Sequence, residues 1–131
     1  MAFNCVIVTP EQQVFDQMVT QVIFPAHDGK MGILTGRAPL LAKLGVGELR
    51  LTQSNNQQHR LFIEGGVVQM KDNKLTILTT EAMPVDEIDA ESARAELAEA
   101  TARKITDEKS YEDRQRSIER SRSKLQLVGQ R

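Results

Sequence analysis

The chain has 131 residues, a formal net charge of −1 and a single cysteine, Cys5. Near-neutral overall charge gives no general attraction to nucleic acid or to an anionic membrane surface, and one cysteine excludes an intrachain disulfide and offers no metal-ligand spacing. No apolar run approaches the roughly 18 residues of a membrane-spanning helix, and no basic segment with an apolar stretch opens the chain, so a soluble chain in a reducing compartment is expected, reaching a membrane only through partners.

Residues 3–8, Phe-Asn-Cys-Val-Ile-Val, are β-branched and aromatic, and Thr9-Pro10 ends the run because proline cannot continue a ladder. A second strand is predicted over residues 18–24, with Met18, Thr20, Val22 and Phe24 on one face and Val19 and Ile23 on the other, stopped by Pro25. His27-Asp28-Gly29-Lys30-Met31-Gly32 is a turn-rich loop leading into a short strand, Ile33-Leu34, and Gly36-Arg37-Ala38-Pro39 makes a further turn. Four more strands are expected over residues 46–52, 60–64, 67–70 and 75–79. Ser54-Asn55-Asn56, Gly65-Gly66 and Lys71-Asp72-Asn73 would be the turns that separate them. So many short strands predict a β-sandwich, with Val6, Val22, Phe24, Ile33, Leu49, Leu51, Phe62, Val67, Ile77 and Leu78 expected to point inward.

The texture changes at Pro84. Residues 1–85 hold all four Phe, all four Pro and seven of the eight Gly, whereas residues 86–131 have one aromatic, Tyr111, and no Pro. Strong helix formers follow Asp89, a suitable N-cap, with Ile88 placed to staple onto Ala93, and predict a first helix over residues 90–105. A second helix is predicted over residues 110–128, capped by Ser110 with Asp113 reaching back. Tyr111, Ile118 and Leu125 recur every seven residues, extended by Val128, but the seam between them is polar. The fold expected is therefore a β-sandwich over residues 1–85 followed by an antiparallel, weakly stabilised two-helix hairpin over residues 86–131. The small overall charge conceals a split: residues 1–85 are neutral, residues 86–102 carry −5 and residues 103–131 carry +4.

No constellation of catalytic residues is present: there is no P-loop, dinucleotide fingerprint, nucleophile elbow or zinc-protease motif. His27 and His59 read as surface side chains, Cys5 as a small core residue, and Gly65-Gly66 as a turn without the helix a phosphate cradle needs. The basic run Arg114, Arg116, Arg120, Arg122 and Lys124 rises above this background. Guanidinium groups suit bidentate contact with carboxylates, and the run has no interleaved aromatic side chains for base stacking. An acidic protein surface is the favoured partner, and a nucleic-acid-binding module using this helix is the alternative.

Gly29-Lys30-Met31-Gly32-Ile33-Leu34-Thr35-Gly36-Arg37-Ala38-Pro39-Leu40-Leu41 resembles the hallmark stretch of the epsilon subunits of bacterial F-type ATP synthases. Thr9-Pro10-Glu11-Gln12-Gln13-Val14-Phe15 and Glu64-Gly65-Gly66-Val67 are similar to further family segments, so the resemblance spans essentially the whole chain. It implies a non-catalytic central-stalk component at the cytoplasmic face of the membrane, needing no cofactor. Residues 1–85 would assemble with the gamma subunit and the c-subunit ring and help couple proton or sodium flow to ATP synthesis. Residues 86–131 would regulate, the basic second helix extending toward the catalytic beta subunit, within its alpha and beta assembly, to block ATP hydrolysis.

Carried onto this sequence, the resemblance implies that Lys30 and Met31 face the c ring, and Arg37 and Ala42 lie near gamma. Arg37 stands where many relatives have histidine. Arg114, Arg116, Arg120, Arg122 and Lys124 are the inhibitory candidates. Some members bind ATP through Ile/Leu-Asp, two residues, then Arg-Ala; here Ile88-Asp89-Ala90-Glu91 is followed by Ser92-Ala93, and Arg94 comes two positions late. Two positions on a helix are roughly 200°, which turns the guanidinium to nearly the opposite face and argues against ATP binding through Ile88, Asp89 and Arg94.

Overall fold

A computed structural model describes residues 2–35 and 38–130. The chain divides after Pro84 into a β unit and a helical unit. The β unit contains β1 (Phe3–Val8), β2 (Gln13–Val19), β3 (Gln21–Pro25), β4 (Met31–Leu34), β5 (Leu40–Thr52), β6 (Gln58–Lys71), β7 (Lys74–Leu78) and β8 (Ala82–Pro84). The strands are hydrogen-bonded in the order β2-β1-β7-β6-β5-β3-β4, with β8 added to β6. All pairings are antiparallel except β1 with β7.

The two long strands make this continuous ladder a sandwich. Leu40 to Leu44 of β5 pair with Gly66 to Met70 of β6, beside β7, while the later part of β5 pairs with β3 and the earlier part of β6 with β8. Each long strand thus serves both layers. The core between them holds Phe3, Cys5, Ile7, Val19, Val22, Phe24, Leu44, Leu49, Leu51, Ile63, Val68, Met70, Leu75 and Ile77.

Gly65-Gly66 is not the turn expected there. Residues 60–64 and 67–70 belong to one strand, and the glycines sit inside it with φ of +69° and +118°. They mark the place where β6 exchanges β8 for β7 as a neighbour. A Cβ on Gly66 would lie 1.8 Å from the Leu78 carbonyl oxygen, so only glycine permits this approach.

Other boundaries also differ from expectation. The predicted strand over residues 18–24 is cut at Thr20, whose amide and hydroxyl both donate to the Thr52 carbonyl. Its first residues instead complete β2, a strand that residues 13–17 begin and that pairs with β1. The break shifts the alternation, so Val19 and Val22 are both buried and Met18 is exposed. β5 begins at Leu40 and not at Val46, because the ladder to β6 holds the glycine-containing stretch extended. Ile33, Val67 and Leu78, expected inside, are exposed: their neighbours Val68 and Ile77 take the inward positions of β6 and β7, and Ile33 lies on the edge strand β4.

The helical unit opens with a short 3-10 turn, Val85–Glu87, followed by α1 (Ala90–Ala102) and α2 (Glu108–Gln130). Asp89 caps α1, accepting from the Glu91 amide at 3.0 Å and the Ser92 hydroxyl at 2.8 Å. α1 stops three residues earlier than expected, and α2 starts two residues earlier. Its cap is Asp107, which accepts the Ser110 amide at 2.8 Å while the Ser110 hydroxyl accepts the Asp107 amide at 3.0 Å. This reciprocal box satisfies donors at both positions, so Ser110 serves inside the first turn and not as the cap itself. The buried positions are Ala93 and Ala100 of α1, and Ser117, Ile118, Ser121 and Leu127 of α2. Tyr111, expected on the seam, is 47% exposed.

Candidate functional site

Alternation leaves one outer face of the sandwich unusually apolar. Leu78 stands directly opposite Val8 of β1 on one side and Val67 of β6 on the other, forming a cross-strand row turned away from the core. Val67 is 36% exposed, Leu78 51% and Leu41 72%. An open groove of about 400 Å³ runs along the end of this row, lined by Val8, Pro10, Gly66, Val67, Leu78 and Thr79. Its shape is fixed by short bonds: the Thr79 amide donates to the Val8 carbonyl at 3.1 Å, and the Thr80 hydroxyl to the Glu64 carbonyl at 2.7 Å. The sequence signal was present in the consecutive apolar pairs Val67-Val68 and Ile77-Leu78, of which only one member each can face inward.

Lys30 and Met31 lie where a tight loop enters β4. Gly29, at φ +88°, lets the Ala26 amide donate to the Lys30 carbonyl at 2.8 Å, and the Asp28 carboxylate accepts the Lys30 amide at 3.0 Å. Both side chains are exposed, and Met31 shares the outer side of the edge strand with Ile33, at 57% and 64% exposure. Gly32 between them leaves space for the Phe24 ring, which a Cβ there would meet at 2.2 Å. Ala42 is partly buried against the core, while its neighbours Leu41 and Lys43 are exposed. Arg37 lies outside the described residues.

In the helical unit the basic run is divided. Arg120 donates from Nε to Glu96 Oε1 at 2.7 Å, with both side chains about three-quarters buried. Arg114 donates to the Thr101 carbonyl in the last turn of α1 at 3.1 Å, where a cation meets the negative end of the helix dipole. Arg116 is 63% exposed, 3.9 Å from the Asp113 carboxylate, and Arg122 is exposed. Lys124 is half-buried. The sequence reading did not single out Glu96, although the opposite charges of the two helices point toward such a pair.

Ile88 and Asp89 lead into α1, and Arg94 lies within it. Ile88 is buried, the Asp89 carboxylate is committed to capping α1, and Arg94 is exposed. Hydrogen bonds from the Ser92 hydroxyl and the Glu91 amide hold the Asp89 carboxyl below its usual range. Burial, with Asp16 nearby, pushes the Cys5 thiol up to about 12, leaving it protonated and unreactive. His59 is partly buried, its ring edge-on to Phe15 at 5.4 Å, and His27 is exposed. Among the described residues no group of three His, Cys, Asp or Glu side chains is placed to hold a metal.

Residues 2–85 match the family described as ATP synthase, Delta/Epsilon chain, beta-sandwich domain. The ATP synthase epsilon chain of Rhodopirellula baltica is 36% identical over 125 residues, covering 95% of this chain and 97% of that one. The sodium ion specific ATP synthase epsilon chain of Propionigenium modestum is 33% identical over 130 residues, covering 98% and 94%. A chain in the Euglena gracilis mitochondrial ATP synthase structure, OSCP/F1/c-ring, superposes with a TM-score of 0.82 at 19% identity, over 99% of this chain and 82% of that one.

Proposed function

Because the chain belongs to the ATP synthase delta/epsilon family, we propose that it is the epsilon subunit of an F-type ATP synthase, a non-catalytic component of the central stalk. It binds the gamma subunit and the c ring, works alongside the catalytic alpha and beta subunits, and couples ion flow to ATP synthesis. The observation that carries this reading is the sandwich that the family match covers, presenting an apolar row, Val8, Leu78 and Val67, on its outer face. Apolar side chains at such exposure on paired strands are what a protein partner covers.

Gamma docks on that row and its groove, and Lys30, Met31 and Ile33 meet the c ring. Arg37 and Ala42 belong to the gamma side, Ala42 through the exposed neighbours it positions. No described helix is long and apolar enough to cross a membrane. In the proposed reading the chain sits at the cytoplasmic face of the membrane through the assembled complex.

The hairpin is the inhibitory part. Arg114, Arg116, Arg120, Arg122 and Lys124 supply the basic surface that engages the acidic side of the beta subunit and arrests ATP hydrolysis. The test is reconstitution with alpha, beta and gamma subunits. The full chain co-purifies with gamma and lowers hydrolysis; deletion of residues 86–131 keeps the co-purification and restores hydrolysis. A chain that does not bind gamma would refute the assignment, and equal hydrolysis with and without the hairpin would refute its inhibitory role.

A nucleic-acid module has no support from the family match. Two of the five basic side chains are also engaged on α1, which diminishes the phosphate-binding surface that reading requires.

A further inference from the structure

Polar contacts between the two helices accompany a small apolar seam in the hairpin. Its buried side chains are Ala93 and Ala100 of α1 and Ser117, Ile118, Ser121 and Leu127 of α2, so only two large apolar side chains, both on α2, are withdrawn from water and half of the buried α2 positions are hydroxyls. Arg103 reaches the Ser117 hydroxyl at 3.1 Å, and the Arg114 guanidinium bonds the Thr101 carbonyl. Arg114 Nε is buried without a hydrogen-bond partner, a cost that opposes closure. Against that cost stands the pair of Glu96 and Arg120, charged at both ends, with each side chain about three-quarters buried.

A guanidinium held by Glu96 cannot present the same donors to another carboxylate. Resting on the inhibitory role given above, we propose that Glu96 is the latch of the hairpin, an internal acidic competitor that must release Arg120 before this side chain can engage an acidic protein surface. Four members of the basic run then fall into two classes. Arg116 and Arg122 are exposed while the helices are paired, and Arg114 and Arg120 are released from α1 only when they part. Inhibition therefore depends on the balance between one carboxylate within the chain and the carboxylates of the partner, a population shift governed by differential affinity.

The latch is tested in the full-length chain with nitroxide labels on Ala98→Cys and Glu119→Cys, exposed positions on the two helices. The buried Cys5 takes no label. Pulsed electron paramagnetic resonance reads a single short distance in the parent. Glu96→Gln, close in shape and neutral, adds a long-distance population and raises the open-to-closed ratio about fivefold to tenfold. The exchange Glu96→Arg with Arg120→Glu returns the short distance, and far-UV circular dichroism confirms that the helices persist in each variant.

With a polyglutamate peptide as probe, Glu96→Gln binds more tightly than the parent by a similar factor, and Arg120→Gln loses that gain. A distance distribution in Glu96→Gln identical to the parent, or no return in the exchange variant, would overturn the latch. In the reconstituted complex Glu96→Gln deepens inhibition. If deletion of the hairpin leaves hydrolysis unchanged while the distances still respond to Glu96, the inhibitory role fails and the latch stands.

Discussion

Val67 and Leu78 face each other across β6 and β7, in direct register and both turned to solvent. An apolar cross-strand pair in that position contributes little to the core and is suited to burial against a partner. Leu78→Glu should therefore leave the melting temperature within a few degrees of the parent while weakening gamma binding at least tenfold, as expected for a contact near the centre of an interface. Calorimetric titration with gamma and a thermal melt of the free chain read the two effects separately. A variant that binds gamma normally would move the docking face elsewhere.

Gly66 makes the opposite prediction. Its Cβ would fall 1.8 Å from the Leu78 carbonyl, at a φ that other residues rarely adopt. Gly66→Ala should cost about 3 kcal/mol or more through combined strain and overpacking, read as a large drop in the urea midpoint of the β unit's transition. Gly129, by contrast, lies in the last turn of α2 with open space around it, and Gly129→Ala should leave the β unit unchanged and stabilise the helix by up to about 1 kcal/mol.

Cys5 is fully buried, with its thiol pushed up to about 12 by burial and then by Asp16. At neutral pH it should react with a thiol reagent only when the sandwich opens. The labelling rate should fall by orders of magnitude on removal of denaturant and rise again in Gly66→Ala. Rapid labelling of the native chain would contradict this packing.

The helix caps predict an acid response of the hairpin. The Ser92 hydroxyl and Glu91 amide lower the Asp89 pKa, and the amide and hydroxyl of Ser110 lower that of Asp107. A carboxyl with a lowered folded-state pKa contributes stability above its unfolded value, about 3.9 for aspartate, and loses it as pH falls through the folded value. Helicity should therefore be flat near neutrality and decline below about pH 4. Asp89→Asn with Asp107→Asn should flatten that decline, since asparagine also caps but does not titrate. Far-UV circular dichroism against pH is the measurement.

Much of the architecture was legible in the residues alone. The change of composition at Pro84, the β-branched runs and the Asp89 cap are local signals, and local chemistry decides element type wherever it is strong. The motif from Gly29 to Leu41 led to the family, and the opposite charges of the two helical segments anticipated their pairing. The boundaries that moved did so through distant contacts. Thr20 cuts a predicted strand because Thr52 accepts from it, and Ser110 yields the cap because Asp107 forms a reciprocal pair with it.

What the sequence determined by itself is that a strand-rich segment precedes two charge-complementary helices, because side-chain shape and backbone propensity act over a few neighbouring residues. Only the tertiary structure decided which member of Val67-Val68 and of Ile77-Leu78 faces out, and which arginines of α2 are occupied. A strand places alternate residues on opposite faces whatever their polarity, so register with β1 and β5 settles the first choice. The second depends on Glu96 lying opposite Arg120 once the helices pair, a proximity between residues 24 positions apart that no local pattern specifies.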